Sequence, residues 1–255
     1  MRQLYYYLKY FLLRVNEHSL HSPLVYDLYT KIIKKNKHSA PDSTIEAFRK
    51  ELQASRETIQ VTDFGTGATR PSERKISSIV SRSASSYRQS NLLVDLGNYF
   101  EVRNILELGT SFGLNTQYLS KIHDSRVDTF EGCNNIATVA DRFFKKAGRQ
   151  NISLHLGDLS KTLPEYLQRS LKPDMVYFDA NHDYFPTMSY FEMCYSKAHD
   201  KSIFIFDDIH WSGGMDKAWN EIKSKPQVTL SLDLFHFGIV LFDPTLLKSD
   251  YILEY

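Results

Sequence analysis

From residue 104 onward, short apolar runs alternate with longer stretches of helical periodicity. The runs predict strands at 104–109, 127–131, 152–157, 175–179, 202–207, 227–234 and 237–243. Helical stretches separate the first six, and that alternation argues for a parallel sheet covered on both faces. Within 133–147, Ile136, Val139, Ala140, Phe143 and Phe144 recur at helical spacing, and Gly148 follows as a helix C-cap would. The last two runs, joined around His236, are too close for a helical crossover and predict an antiparallel hairpin. The expected fold class is α/β, a doubly wound, Rossmann-like sheet.

The first 37 residues read differently, as two amphipathic helices parted near residues 21–23, where Pro23 disfavours helix in the residue before it. Their apolar runs are interrupted by Lys9 and Arg14 and are too short to span a bilayer, so neither export nor a transmembrane segment is expected. The cluster Tyr5, Tyr6, Tyr7, Tyr10 and Phe11 suits packing on the main domain or on a second subunit of a homodimer; contact with a membrane surface is the alternative. Lys31, Lys34, Lys35 and Lys37 read as a solvated helix end, with phosphate contact as the other option. Residues 38–60 are polar, helical or loop. VTDFGTGATR at 61–70 carries Asp63, Gly65 and Gly67 but no acid about 20 residues on, where a ribose ligand belongs. A Ser/Arg-rich helix and loop follow it rather than a strand, so it reads as a turn or a substrate-side lid. The chain thus divides into a helical extension, 1–84, and a main domain, 85–255.

Composition changes this picture little. With 255 residues, 42% hydrophobic and 24% charged, the chain suits one large α/β domain plus an extension. A net charge of +1 argues against nucleic acid as a partner. Cys133 and Cys194 form neither a disulfide framework nor a CxxC metal motif, which fits a cytoplasmic protein.

Chemistry concentrates at the ends of the expected strands, where open α/β sheets bind ligands. In NILELGTSFGLNT, 104–116, an apolar strand ends at Glu107 and Leu108, and Gly109, Thr110, Ser111 and Gly113 turn the chain into a helix. Glycine lets backbone bend sharply and approach a ligand, and the helix start offers free N–H groups. A dinucleotide fingerprint needs glycine where Ser111 stands, so NAD is the weaker reading. The next strand ends at Glu131, 22 residues after Gly109, where a carboxylate accepts both hydroxyls of a ribose. That spacing supports an adenosine-containing cofactor. Asp158 ends the third strand, as a ligand contact or as the N-cap of the following helix. Asp179 and His182 follow in MVYFDANHDY, and Asp207, Asp208 and His210 in FIFDDIHW. An acid pair directly after IFIF needs a partner for its charge: a divalent cation such as Mg²⁺, or nearby N–H donors.

On these residues the chain resembles the class I S-adenosylmethionine-dependent methyltransferases. ELGTSFG is similar to the first motif of the catechol O-methyltransferase-like branch, and DANHDY to the DGxHxY element of sugar and antibiotic O-methyltransferases. The resemblance implies a seven-stranded sheet with a terminal hairpin over residues 85–255. It implies Glu107 and the Gly109 turn at the methionine end of the cofactor, Asp158 at adenine, and Tyr87, Arg88 and Gln89 along the cofactor pocket. The 28 residues from Asp179 to Asp207 resemble the spacing of metal-binding acids in the catechol enzymes. Those enzymes have lysine where His182 stands, and Asp-Asn where this chain has Asp207 and Asp208. The implied function is O-methylation of a small-molecule hydroxyl using S-adenosylmethionine. Mg²⁺ or another divalent cation at Asp179, Asp207 and Asp208 would assist, and His182 or His210 would take the proton, with Asp179 also beside the cofactor. Trp211 and Tyr184 would wall the acceptor site. The alternatives are an RNA methyltransferase, a non-catalytic cofactor-binding protein of the same fold, and an NAD-dependent oxidoreductase.

Overall fold

The computed structural model of the protein describes residues 2–62, 71–83, 85–169 and 172–255. The expectation of a lid or turn at 61–70 falls almost wholly outside them. Two compact units share the chain: one is His38–Ser170, the other Met1–Lys37 with Leu171–Tyr255.

The unit His38–Ser170 contains a hairpin, β1 (Thr58–Val61) against β2 (Ser72–Lys75), and three parallel strands in the order β3 (Asn104–Leu108), β4 (Arg126–Glu131), β5 (Ile152–Leu156). The helices Ser43–Ala54 and Ile76–Ser83 lie in stretches read as helix or loop, whereas the hairpin was not foreseen: its strands are four residues each, and Ser-Glu-Arg-Lys offers no apolar alternation to read. Ile105, Leu106, Leu108, Val127 and Phe130 are buried. The helix Asn134–Lys146 crosses from β4 to β5, buries Ile136, Ala140, Phe143 and Phe144, and stacks Phe143 on Phe48 at 3.7 Å. Gly148, at φ 65°, lies just past its end as expected. The helix Tyr87–Tyr99 starts from a capping box in which Ser86 and Gln89 satisfy each other's backbone N–H groups.

The other unit holds β6 (Met175–Phe178), β7 (Ile203–Asp207), β8 (Leu230–Asp233), β9 (Phe237–Leu241) and β10 (Ser249–Ile252), ordered β10-β8-β9-β7-β6. β6 and β7 are parallel, joined through the helix Tyr184–Tyr195, and β9 runs antiparallel to both β7 and β8, the hairpin expected around His236. β10, parallel to β8, was not foreseen: Ser-Asp-Tyr-Ile is short and half-exposed. The N-terminal stretch forms the helix Arg2–Leu13 and, after the Ser22 cap with Pro23 in the first turn, the helix Pro23–Leu28. Val25, Leu28, Tyr29 and Ile33 are buried. Val15 bridges to Leu253, the Tyr10 hydroxyl donates to the Leu253 carbonyl at 2.7 Å, and the Tyr255 hydroxyl lies 3.1 Å from Asn36 Oδ1.

Candidate active site

The glycine corner is held from beneath. Glu107 is completely buried; Asn115 Nδ2 donates to its Oε1 at 3.1 Å, and the hydroxyls of Thr116 and Thr129 donate to Oε2 at 2.5 and 2.7 Å. This carboxylate therefore ties β3 to β4 and to the helix Leu114–Leu119, facing into the protein. Thr110 closes the net with its hydroxyl 2.6 Å from that of Thr129. Above it, the N–H groups of Gly109 and Thr110 both donate to the Phe130 carbonyl, at 3.2 and 3.0 Å. Gly109 has φ 111° and Gly113 φ 77°, and a Cβ on Gly113 would collide with the Phe144 ring. Only glycine takes both positions without strain.

Glu131 stands at the carboxyl end of β4 directly beside this turn. Its Oε2 accepts from the Ser111 N–H and its Oε1 from the Cys133 N–H, both at 2.9 Å. Ser111 adopts a left-handed φ of 48° to make its contact, a conformation that non-glycine residues hold only where the surroundings impose it. These two bonds fix the orientation of the Glu131 carboxylate beside the turn. Asp158 Oδ1 accepts from the backbone and hydroxyl of Ser160 at 3.0 and 2.8 Å, the capping arrangement for the helix Leu159–Arg169. Tyr87, Arg88 and Gln89 form the first turn of their helix. The corner fits an adenosine-type ligand: two glycines open the backbone, and a ribose-compatible carboxylate is aimed and anchored.

The second cluster lies in the other unit, at the ends of β6 and β7. His182 Nε2 lies 3.4 Å from Asp179 Oδ1. The burial of His182 opposes its charge, but the hydrogen bond to Asp179 and the charges of Asp179 and Asp208 outweigh that and raise its pKa. Burial, foremost, raises Asp179, although His182 and a hydrogen bond with Asp207 pull the other way. Asp207 is pushed well up by burial and by the charges of Asp179 and Asp208. Two carboxyls in contact cannot both ionise cheaply, and each raises the cost of charging the other. Asn181 and Asp208 hold left-handed φ values of 63° and 50°, which concentrates backbone strain at these two strand ends.

Two expectations are corrected here. His210 is no candidate base: its Nδ1 lies 3.1 Å from Asp216 Oδ1 and its Nε2 2.8 Å from Asp233 Oδ2, so both ring nitrogens are occupied, and the ring stacks on Tyr6. The structure shows no preformed site for a metal ion at Asp179, Asp207 and Asp208. Among the described residues no group of three or more His, Cys, Asp or Glu side chains is arranged to hold one. Oδ1 of Asp207 is buried without a hydrogen-bond partner, Asp179 and Asp207 face each other, and Asp208 points towards His236, 4.0 Å away. Tyr184 is turned to Glu221, whose Oε2 its hydroxyl meets at 2.6 Å, with Lys217 over its ring; it walls no acceptor site. Trp211 is exposed. Asn115, Thr116 and Thr129 were missed, although the first two lie in the corner motif itself, one helical turn past its glycines.

A parallel β3-β4-β5 array with a glycine turn after β3 and an acid at the end of β4, together with the antiparallel β9, defines the class I methyltransferase fold. Residues 106–209 match the family model described as a methyltransferase domain. Solved structures share the fold over most of the chain. An O-methyltransferase from Bacillus cereus in complex with SAH aligns at 19% identity and TM-score 0.60, covering 82% of this chain and 95% of its own. TomG from Streptomyces achromogenes, an O-methyltransferase of tomaymycin synthesis in complex with SAM, aligns at 20% and 0.60, covering 86% and 94%. SAH-bound PaMTH1 from Podospora anserina aligns at 15% and 0.57, covering 80% and 98%. Among the described residues no helix is long and apolar enough to cross a membrane.

Proposed function

We propose that this chain is an S-adenosylmethionine-dependent methyltransferase that methylates a hydroxyl group of a small molecule. The observation that carries the reading is Glu131, held by two backbone N–H groups beside a turn that only glycine can make. When bound, S-adenosylmethionine supplies a methyl group already activated on a sulfonium, so no acid is needed to expel the leaving group. Glu131 accepts the ribose hydroxyls, Gly109 to Gly113 let the backbone come close, and Asp158 meets adenine while capping its helix. Glu107 is a positioning residue, fixing the corner through Asn115, Thr116 and Thr129.

The acceptor hydroxyl must lose its proton as the new bond forms, and His182 takes it on the ring nitrogen that does not face Asp179. Asp179, beside Nε2, fixes the ring and stabilises the imidazolium. No step passes through a divalent cation. Two of the three structures named above, described as O-methyltransferases, support hydroxyl chemistry. The near-neutral total charge supports a small-molecule acceptor over RNA.

Calorimetric titration with S-adenosylhomocysteine, with NAD as control, tests the cofactor. We expect binding of the former alone, and Glu131→Ala to weaken it about a hundredfold, the loss of two charge-assisted hydrogen bonds. Equal affinity in the variant would remove the ribose assignment. Activity is expected to survive chelation of divalent ions; a loss restored by Mg²⁺ would return the acids to a metal.

A further inference from the structure

The aromatics of the helix Arg2–Leu13 were expected to pack on the main domain or on a second subunit, with a membrane surface as the alternative; among the described residues of this helix only Tyr10 is buried. At 100° per residue, Tyr7, Phe11, Leu4, Leu8, Leu12 and Tyr5 follow one another around a continuous outer arc. Leu4, Leu8 and Leu12 are 61%, 51% and 79% exposed. Contacts hold the opposite side: Tyr10, buried, bonds to Leu253, and the half-buried Tyr6 stacks on His210. The arc is therefore presented outward by a helix fixed on its other face.

Charge says what the arc meets. The helix carries no acidic residue; Lys9 borders the arc on one side, and Arg14 lies over the Phe11 ring at 4.3 Å on the other. Residues 1–37 contain seven Lys and Arg (Arg2, Lys9, Arg14, Lys31, Lys34, Lys35, Lys37) against two acids (Glu17, Asp27), a net of +5 in a chain whose total is +1. Such a surface complements negative charge. A symmetric contact with a second copy would place the same basic helix against itself, with no carboxylate on it to relieve the repulsion. Twelve residues span about 18 Å, too little to cross a bilayer but enough to lie in its surface. Leucines and tyrosines on the outer arc with flanking cations are the chemistry of an interfacial helix.

We propose that the outer face of the helix Arg2–Leu13 docks the protein on an anionic lipid bilayer, Leu4, Leu8 and Leu12 entering the acyl boundary and Lys9 meeting headgroup phosphates. The proposal is independent of methyl transfer. Sedimentation of the full chain with vesicles tests it, using phosphatidylcholine alone and phosphatidylcholine mixed with phosphatidylglycerol. The expected result is co-sedimentation with the mixed vesicles, weakened by salt and weak on the neutral ones. Leu8→Ser with Leu12→Ser, and separately Lys9→Glu, should each lower partitioning about tenfold while the circular-dichroism melting temperature stays unchanged, because these side chains are exposed. Absence of binding to the mixed vesicles overturns the proposal, as does undiminished binding by the leucine variant. A dimer in sedimentation velocity that the leucine variant dissociates, without vesicle binding, would assign the arc to a second copy instead.

Discussion

His182 sits where opposing influences meet, since burial disfavours its charge and Asp179 and Asp208 favour it. The net effect raises its pKa, so the imidazolium persists to higher pH than in a free histidine, and the neutral base becomes available only as pH rises through the raised value. The acid limb of kcat/KM should therefore lie above 6.5, the ordinary histidine value. Asp179→Asn removes the group that raises it, and the limb should move to lower pH; His182→Gln should abolish the limb. A profile that keeps its acid limb in His182→Gln would place the base elsewhere. Glu131 was legible in the sequence because one number, the spacing from Gly109, follows from local strand and helix lengths. The fate of His210 was not, because Asp233 comes from β8, 23 residues on, and only tertiary structure brings it to the ring. The placement of Asp179, Asp207 and Asp208 was not legible for a related reason: at neighbouring strand ends they look like a ligand set in one dimension, whereas their oxygens face one another and His236 in three.

At the scale of elements, the strands of the core were readable and the marginal ones were not. Ile-Phe-Ile-Phe in β7 and the apolar run of β3 are buried throughout and could be little else. β2 and β10 bury too little for composition to register, and neighbours decide their pairing. The turn after β3 was readable because its conformation demands glycine. Gly113→Ala should destabilise the chain by about 1–3 kcal/mol through its left-handed φ and the clash with Phe144, and should weaken S-adenosylhomocysteine binding more than that loss explains. A variant with wild-type melting temperature and affinity would show that the corner tolerates a Cβ.

For the whole molecule, the first 37 residues are not an appendage. Val25, Leu28, Tyr29 and Ile33 are fully buried, each a contribution of about 1.5–3 kcal/mol. Removal of residues 1–37 should leave a protein without a cooperative thermal transition in calorimetry; a sharp transition near that of the intact chain would make this segment a separable extension. The ties from Tyr10, Val15 and Asn36 to Leu253 and Tyr255 join residues more than two hundred positions apart. During synthesis residues 1–37 therefore emerge from the ribosome more than two hundred residues ahead of these partners, and wait with apolar surface uncovered. A nascent chain stalled short of Leu253 lacks the contacts that close this unit, and would be a client for chaperones and proteases.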